Sequence, residues 1–330
     1  MTDVPDAQIY AHRFVRLRSD KNMRRWPAST RNRAPHKPLL LLAVMDMIAS
    51  GSLSENFILL NPRLVDGFDR YWSSVMGAGP PGNPVLPFFH LRSEGFWHLQ
   101  PVPGKGEILA YVDQIRSAQQ LRDLVAGAEL DVQLFLLLQQ PELRDLLRDT
   151  LIHSCFAPEL HHALRSNAQV EAEADRYQYR LRARVNDPFA LNEERLESTG
   201  FLPDARSTAF RRMVVSAYDH TCAICGVRLL TAEGRTAVVA AHIIPWSVSR
   251  NDDPRNGLSL CGLHHWAFDQ GLATVTEQCV VWISPDINTD DSRTEPLRNL
   301  NGLPIVQPSD ATYNPSPQAL TWHLRHVFRH

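Results

Sequence analysis

The sequence has no apolar run approaching the about 20 residues a helix needs to cross a bilayer. Its longest, Pro38 to Met45, is the length of a buried helix core. Met1–Tyr10 carries acidic side chains and no apolar stretch, so no secretory leader is read there. These absences predict a cytoplasmic chain with no membrane partner. Cysteine is scarce, five in 330 residues. In a reducing compartment, clustered cysteines serve metals rather than disulfides, and Cys222, Cys225 and Cys261 do cluster. Neither sign of charge dominates: the formal net charge is −2. Such a balance neither proves nor excludes a nucleic-acid partner, because what matters is where the charges sit. Internal repeats are absent too. An apolar content of 44% with 21% charged residues excludes wholesale disorder. The length favours two domains over one.

Tyr10 to Lys37 is strongly basic, with Arg13, Arg16, Arg18, Lys21, Arg24, Arg25, Arg31, Arg33 and Lys37 against Asp20 alone. The run HKPLLLLAVMDMIASG follows. Pro38 suits a first helical turn and Gly51 a helix stop, so the spacing predicts a buried helix. Val85 to Leu99 (VLPFFHLRSEGFWHL) reads as two strands joined at Ser93-Glu94-Gly95. The Leu-rich stretch Leu121–Leu151 reads as helical. These segments place a first domain at 1–165. Residues 166–206 are polar, with scattered Pro and Gly, and read as a linker with some helix in it. A second domain occupies 207–330. It opens on the helix-like STAFRRMVVSAY and ends in a Pro/Asn/Asp-rich tail with a terminal helix after Gln318.

Two short turns in this second domain have metal-ligand spacing. TCAICG sets Cys222 and Cys225 two residues apart, and LCGLHH sets Cys261 and His264 at the same interval. Together they offer three thiolates and one imidazole, a closed tetrahedral set suited to structural Zn²⁺. Such an ion would staple a unit with little core of its own.

Between the turns lie VVAAHIIPWS and DDPRNGLSLCGLHHWAFDQG. With AYDHTCAICG, these elements resemble the HNH nucleases of the McrA-like type over Phe210 to Gly271, about a fifth of the chain. The resemblance implies a ββα-metal unit: a strand ending at His242, a second strand after Asn256, and a helix carrying His265. It also implies phosphodiester hydrolysis, which needs an activated water and a cation to stabilise the charged transition state. His242 is then the general base, since a neutral imidazole takes a proton from water near neutral pH. His265 is the ligand of a catalytic Mg²⁺, Mn²⁺ or Co²⁺ ion. Asn256 gives its amide oxygen to that metal or to the loop that holds His242. Adjacent helix residues differ in direction by about 100°, so His264 can face zinc while His265 faces the reaction. The chain departs from the pattern at Ala241, where many HNH nucleases carry a metal-binding Asp or His.

HKPLLLLAVMDMI, PFFHLRSEGFWHL and CFAPELHHAL resemble the sulfur-binding domain of type IV restriction enzymes, which read phosphorothioated DNA. That resemblance covers 1–165. It implies an apolar cup for the sulfur, with Phe156, Ala157 and Pro158 lining it, and DNA contacts from His90, Arg92 and His161. The fold class expected is therefore α+β: an N-terminal mixed α/β DNA-reading domain and a C-terminal zinc-stapled ββα-metal nuclease domain. The partner expected is double-stranded DNA, probed by a homodimer because one HNH site cuts one strand at a time. Other readings are an HNH nuclease for methylated or hydroxymethylated DNA, a nonspecific nicking enzyme, and a non-catalytic zinc-stapled DNA-binding protein.

Overall fold

A computed structural model of the chain describes residues 3–191, 200–287 and 291–330. They form two compact units: Met1–Ala172 with Thr231–Arg235, and Glu173–Leu230 with Thr236–His330. No described helix is long and apolar enough to cross a membrane.

The first unit is mainly helical. Its elements are α1 (Asp3–Val15), α2 (His36–Ala49), α3 (Pro62–Met76), α4 (Val85–His90), β1 (Trp97–Pro101), α5 (Gly106–Tyr111), α6 (Ala118–Leu124), β2 (Val125–Leu130), α7 (Val132–Gln139) and α8 (Pro141–Cys155). The long α9 (Pro158–Arg184) runs through the first half of the segment read as a linker. Helix α2 is its axis. Every residue from Lys37 to Ile48 is buried, as a helix apolar on nearly every side must be. Helix α3 is amphipathic and starts cleanly, with Pro62 in its first turn and the Asn61 side chain accepting from Leu64 N at 2.9 Å. Arg148 and Tyr71 both hydrogen-bond the buried Asp46, each at 2.7 Å, so the one carboxylate inside α2 is satisfied.

Two expectations are corrected here. Val85 to Leu99 does not form two strands. Its first half is α4, because Pro84 and Pro87 sit in a starting turn where no N–H is missed, and Asn83 accepts from Val85 N at 2.9 Å. Gly95, at φ +76°, then turns the chain into β1. The partner of β1 is β2, antiparallel, pairing Trp97 with Leu130 and Leu99 with Ala128. That strand lies inside the stretch read as helical. Gly127 makes it possible: a Cβ there would stand 2.6 Å from Phe57 Cζ and 2.9 Å from Ile58 O, so only glycine lets these backbones close.

The second unit contains α10 (Pro203–Ala217), β3 (Val238–His242), α11 (Trp246–Ser249), β4 (Gly257–Cys261), α12 (Gly262–Asp269), β5 (Ala273–Val275), β6 (Val281–Ile283), α13 (Glu295–Arg298) and α14 (Pro317–His326). Strands β3 and β4 are antiparallel, with Val238 opposite Cys261 and His242 opposite Gly257. Helix α12 follows β4 without a loop, so β3, β4 and α12 make a ββα unit. Its core is Phe210, Val214, Ile243, Leu258, Leu260 and Phe268 with their neighbours.

Candidate functional site

Among the described residues, one group of side chains converges with metal-binding geometry: Cys222, Cys225, Cys261 and His264, whose ligand atoms all lie within 4.8 Å of one another. Cys222 and Cys225 sit on a tight turn after α10, closed by Gly226 N on Cys222 O at 2.9 Å and tied to β4 through Ala223 N on Ser259 O at 2.7 Å. Cys261 ends β4 and His264 lies in the first turn of α12. His264 Nδ1 is 3.1 Å from Cys261 Sγ and 3.6 Å from Cys222 Sγ. A tetrahedral zinc with Zn–S of about 2.3 Å and Zn–N of about 2.0 Å would set S···N edges near roughly 3.5 Å. The donor set and its spacing thus fit a structural zinc ion.

At the far end of β3, His242 is held on three sides. Its ring stacks on Phe210 of α10, with centroids 3.8 Å apart and planes 7° from parallel. Its Nε2 is 3.0 Å from Asp252 Oδ1. Its backbone pairs with Gly257. A Cβ at position 257 would meet Val214 Cγ2 at 2.5 Å and Phe210 Cζ at 2.9 Å. The glycine after Asn256 is therefore a clearance under α10. Its φ of −133° is extended backbone open to any residue, so a turn conformation is not what requires it.

Asn256, fully buried, is the clamp of the loop between the two strands. Its Oδ1 accepts from Ile244 N at 2.9 Å, and its Nδ2 donates to Ile244 O and Asn251 O, both at 3.0 Å. Both the oxygen and the nitrogen of that amide thus hydrogen-bond within the loop. Asp252 is buried as well and takes further hydrogen bonds from Arg206 and, at 3.1 Å, from the Tyr177 hydroxyl. Burial alone would raise its carboxyl pKa. The His242 hydrogen bond and the Arg206 guanidinium outweigh that and hold it below the usual carboxylate range. Sequence reasoning missed Asp252, Phe210, Arg206 and Tyr177 as members of this site. Only the paired acids of DDPRNG, lying between the two motif elements, gave a local signal.

His265 is on α12, one residue beyond the His264 of the metal group. The helical rotation puts His264 inside and leaves His265 about a third exposed, with its Nε2 3.4 Å from Asp269 Oδ2. Ala241, the departure noted above, is buried in the core opposite Leu258. That position faces inward and could not present a ligand to solvent.

The residues expected to touch DNA in the first unit fare unevenly. Phe156 is a correction: it is 0% exposed and packs in the core, so it lines no surface cup. His161 is corrected likewise, because it is buried and its Nε2 lies 3.0 Å from Phe156 O. The Arg92 guanidinium lies 4.0 Å over the Phe89 ring and donates to the carbonyls of Leu109 and Val112, so it is committed inside the unit. His90 is half-buried, with its pKa lowered by burial and by the Lys37 and Arg92 charges. Ala157 is half-buried and Pro158 exposed. Of the basic stretch, Arg16, Arg18, Lys21, Arg24, Arg25 and Arg31 are exposed, whereas Lys37 is buried in an ion pair with Glu94. Arg31 reaches the CFAP segment, donating to His153 O at 3.0 Å and Phe156 O at 3.2 Å.

Residues 222–276 match the family model of HNH endonucleases. The matched segment begins at the first cysteine of the metal group and includes His242, Asp252, Asn256 and His265. The second unit thus contains an HNH endonuclease domain. Among solved structures, the chain is similar to one described as a modification dependent TagI restriction endonuclease, at 20% identity and a TM-score of 0.27. The match covers 36% of this chain and 37% of that one, so the chain spans little more than a third of that protein. No curated protein matches the chain.

Proposed function

We propose that this chain is a divalent-metal-dependent HNH endonuclease that hydrolyses phosphodiester bonds in double-stranded DNA. The observation that carries the reading is His242: a partly exposed imidazole, stacked on Phe210 and bonded to a buried carboxylate, at the end of the first strand of a ββα unit within the HNH match. In this reading Cys222, Cys225, Cys261 and His264 hold a structural zinc ion that joins the Cys222–Cys225 turn to β4 and α12. His265 is the ligand of a second, catalytic divalent ion, which supplies charge stabilisation to the pentacovalent transition state. His242 takes the proton from the attacking water, the water oxygen bonds to phosphorus, and the opposite P–O bond breaks. The leaving oxygen takes its proton from solvent. Asn256 keeps the loop rigid so that His242 stays in place.

The same proposal gives the first unit the task of reading modified, phosphorothioated DNA. Two features support it beyond the resemblance. The exposed arginines supply the phosphate-binding charge. Beside them lies a recess of about 10 Å³ lined by Val15, Leu17, Pro35, Pro38, Cys155 and Arg33. It is mostly apolar, with the Ser19 and Thr30 side chains and the Arg33 cation also at its wall, and its volume is on the order of a single atom. Sulfur, softer and less hydrated than oxygen, gains from such a surface.

One cleavage series tests both parts. Matched plasmids with and without phosphorothioation are incubated with the wild type and with His242→Ala, with and without EDTA. Cleavage of the modified plasmid alone, lost in His242→Ala and in EDTA and restored by Mg²⁺, Mn²⁺ or Co²⁺, is the expected result. Undiminished cutting by His242→Ala overturns the nuclease assignment. Equal cutting of both plasmids overturns the sulfur reading. Binding without any cutting favours the non-catalytic module.

A further inference from the structure

The polar groups behind His242 form a chain that runs inward. His242 Nε2 meets Asp252 Oδ1 at 3.0 Å, and Asp252 Oδ2 accepts from both Arg206 and Tyr177. Each oxygen of this carboxylate is therefore assigned. Asp252 is 2% exposed and Arg206 7%. Arg206 in turn lies 4.3 Å above the Trp246 ring, which fixes the far side of the guanidinium. The loop that carries Asp252 is pinned on either side: Asn251 donates to Ala190 O at 2.7 Å, and Asp253 N donates to Asn251 Oδ1 at 2.7 Å. An ionised carboxylate has only lone pairs to offer, so the His242 nitrogen facing it must carry a proton. The other ring nitrogen, Nδ1, has no hydrogen-bond partner among the described residues, on a side chain 23% exposed. Stacking on Phe210 blocks one ring face and prevents the imidazole from tilting away.

We infer that Asp252 is a positioning residue for the reaction: it fixes His242 as the Nε2–H tautomer, leaving Nδ1 as the lone pair that takes the proton from water. Arg206 and Tyr177 keep the carboxylate ionised and aimed. This rests on the proposed nuclease role of His242. When Nδ1 gains the proton, the imidazolium forms against the Asp252 carboxylate, which offsets its charge without accepting the Nε2 proton. The proton on Nδ1 then returns to solvent. A neutral amide at 252 removes that compensation and can also donate its own N–H to Nε2, which forces the ring proton onto Nδ1 and blocks the lone pair.

The tautomer is directly observable. Full-length protein labelled with ¹⁵N-histidine gives long-range ¹H–¹⁵N correlations in which the protonated and unprotonated ring nitrogens differ, and a His242→Gln sample assigns the signal. The expected wild-type result is a protonated, hydrogen-bonded Nε2 and a bare Nδ1 on His242. Asp252→Asn should mix or invert this pattern and slow cleavage about a hundredfold or more, the scale of a general base, with zinc content and DNA affinity retained. Asp252→Glu, which keeps the charge, should recover part of both the tautomer and the rate. A wild-type His242 protonated at Nδ1 overturns the inference, and it does so even where Asp252→Asn fails to fold. So does an Asp252→Asn enzyme that cuts at the wild-type rate while His242→Ala is dead; in that case the nuclease reading survives. If His242→Ala itself cuts normally, the nuclease reading fails and takes this inference with it.

Discussion

Gly257→Ala isolates one contact of the nuclease domain. The added methyl would lie 2.5 Å from Val214 Cγ2, 2.9 Å from Phe210 Cζ and 3.1 Å from Pro254 O. Ordinary contact begins near about 3.4 Å, so two α10 side chains must yield by half an ångström to one ångström. Neither has room, since Val214 is 1% exposed and Phe210 2%. Overpacking of this kind costs about 1–3 kcal/mol. The backbone is already compatible with alanine, so the reduced freedom of the unfolded chain returns roughly 0.4–1 kcal/mol. A net loss of about 1–2 kcal/mol remains, which lowers the melting temperature of a unit this size by roughly 3–8 °C. Phe210 is also the ring beneath His242. Pushing it should move the imidazole, and a displacement on the order of 1 Å can cost about a hundredfold in rate. The control is Gly262→Ala at the start of α12, where a Cβ meets nothing within 4 Å. It should be neutral or slightly stabilising in a helix. Differential scanning calorimetry and plasmid cleavage on the two variants decide the matter. A Gly257→Ala protein as stable and as active as the wild type would refute the packing argument.

Elemental analysis should find one zinc per chain. Cys222→Ser should lose it and unfold the second unit well before the first, as followed by limited proteolysis; folded protein without zinc would end the assignment. Acid should weaken each unit through one histidine: His36 in the first, half-buried and beside the Arg25 charge, and His323 in the second, buried, have their pKa values pushed down to about 4, mainly by desolvation. The unfolded chain binds their protons from about pH 6.5 downward while the folded chain does not. Stability is therefore intact above that pH and is lost as pH falls toward 4, by about 2 kcal/mol per histidine at pH 5. Urea midpoints at pH 7 and 5 measure it, and His323→Gln should flatten the dependence in the second unit alone. Double-strand breaks should show a higher than first-order dependence on enzyme concentration, because one site cuts one strand; first-order kinetics from a proven monomer would refute this.

What could be read in advance divides along the range of the interaction. The metal group was legible because each ligand pair is a four-residue turn, and the pairs needed only to be brought together, as they are. His264 and His265 were separable by helical rotation alone. The Asp252–His242 contact was not legible, since nine residues, the short α11 among them, lie between the two and the pose depends on Asn256, Asn251 and α10. Phe156 shows a different limit. An apolar residue beside basic ones has the same composition whether it faces a ligand or the core, and here it faces the core. The aromatics of Val85–Leu99 alternated enough to suggest strands, yet the two prolines and Asn83 already spelled a helix start. Gly127 within the Leu-rich run carried the strand signal, but its meaning lay in Phe57 and Ile58, some 70 residues upstream.

The two ends of the short β3–β4 ladder explain why this site needs so many polar contacts. Five residue pairs make a ribbon, and a two-stranded ribbon is at best marginally stable in water. One end closes on Cys261 and the metal group. The other ends at His242 and Gly257, where the loop is held mostly by side-chain hydrogen bonds from Asn251, Asp252, Asp253 and Asn256, all buried. Apolar packing could bury such a loop but could not fix the direction of an imidazole, because the hydrophobic effect is non-directional. Hydrogen bonds and the flat face of Phe210 can. Losing one of them strands a buried polar partner at about 1–3 kcal/mol, so the loop should open cooperatively rather than drift. The His242 imidazole on an otherwise slight hairpin is thereby kept in one orientation, and that is the property the tautomer measurement reads.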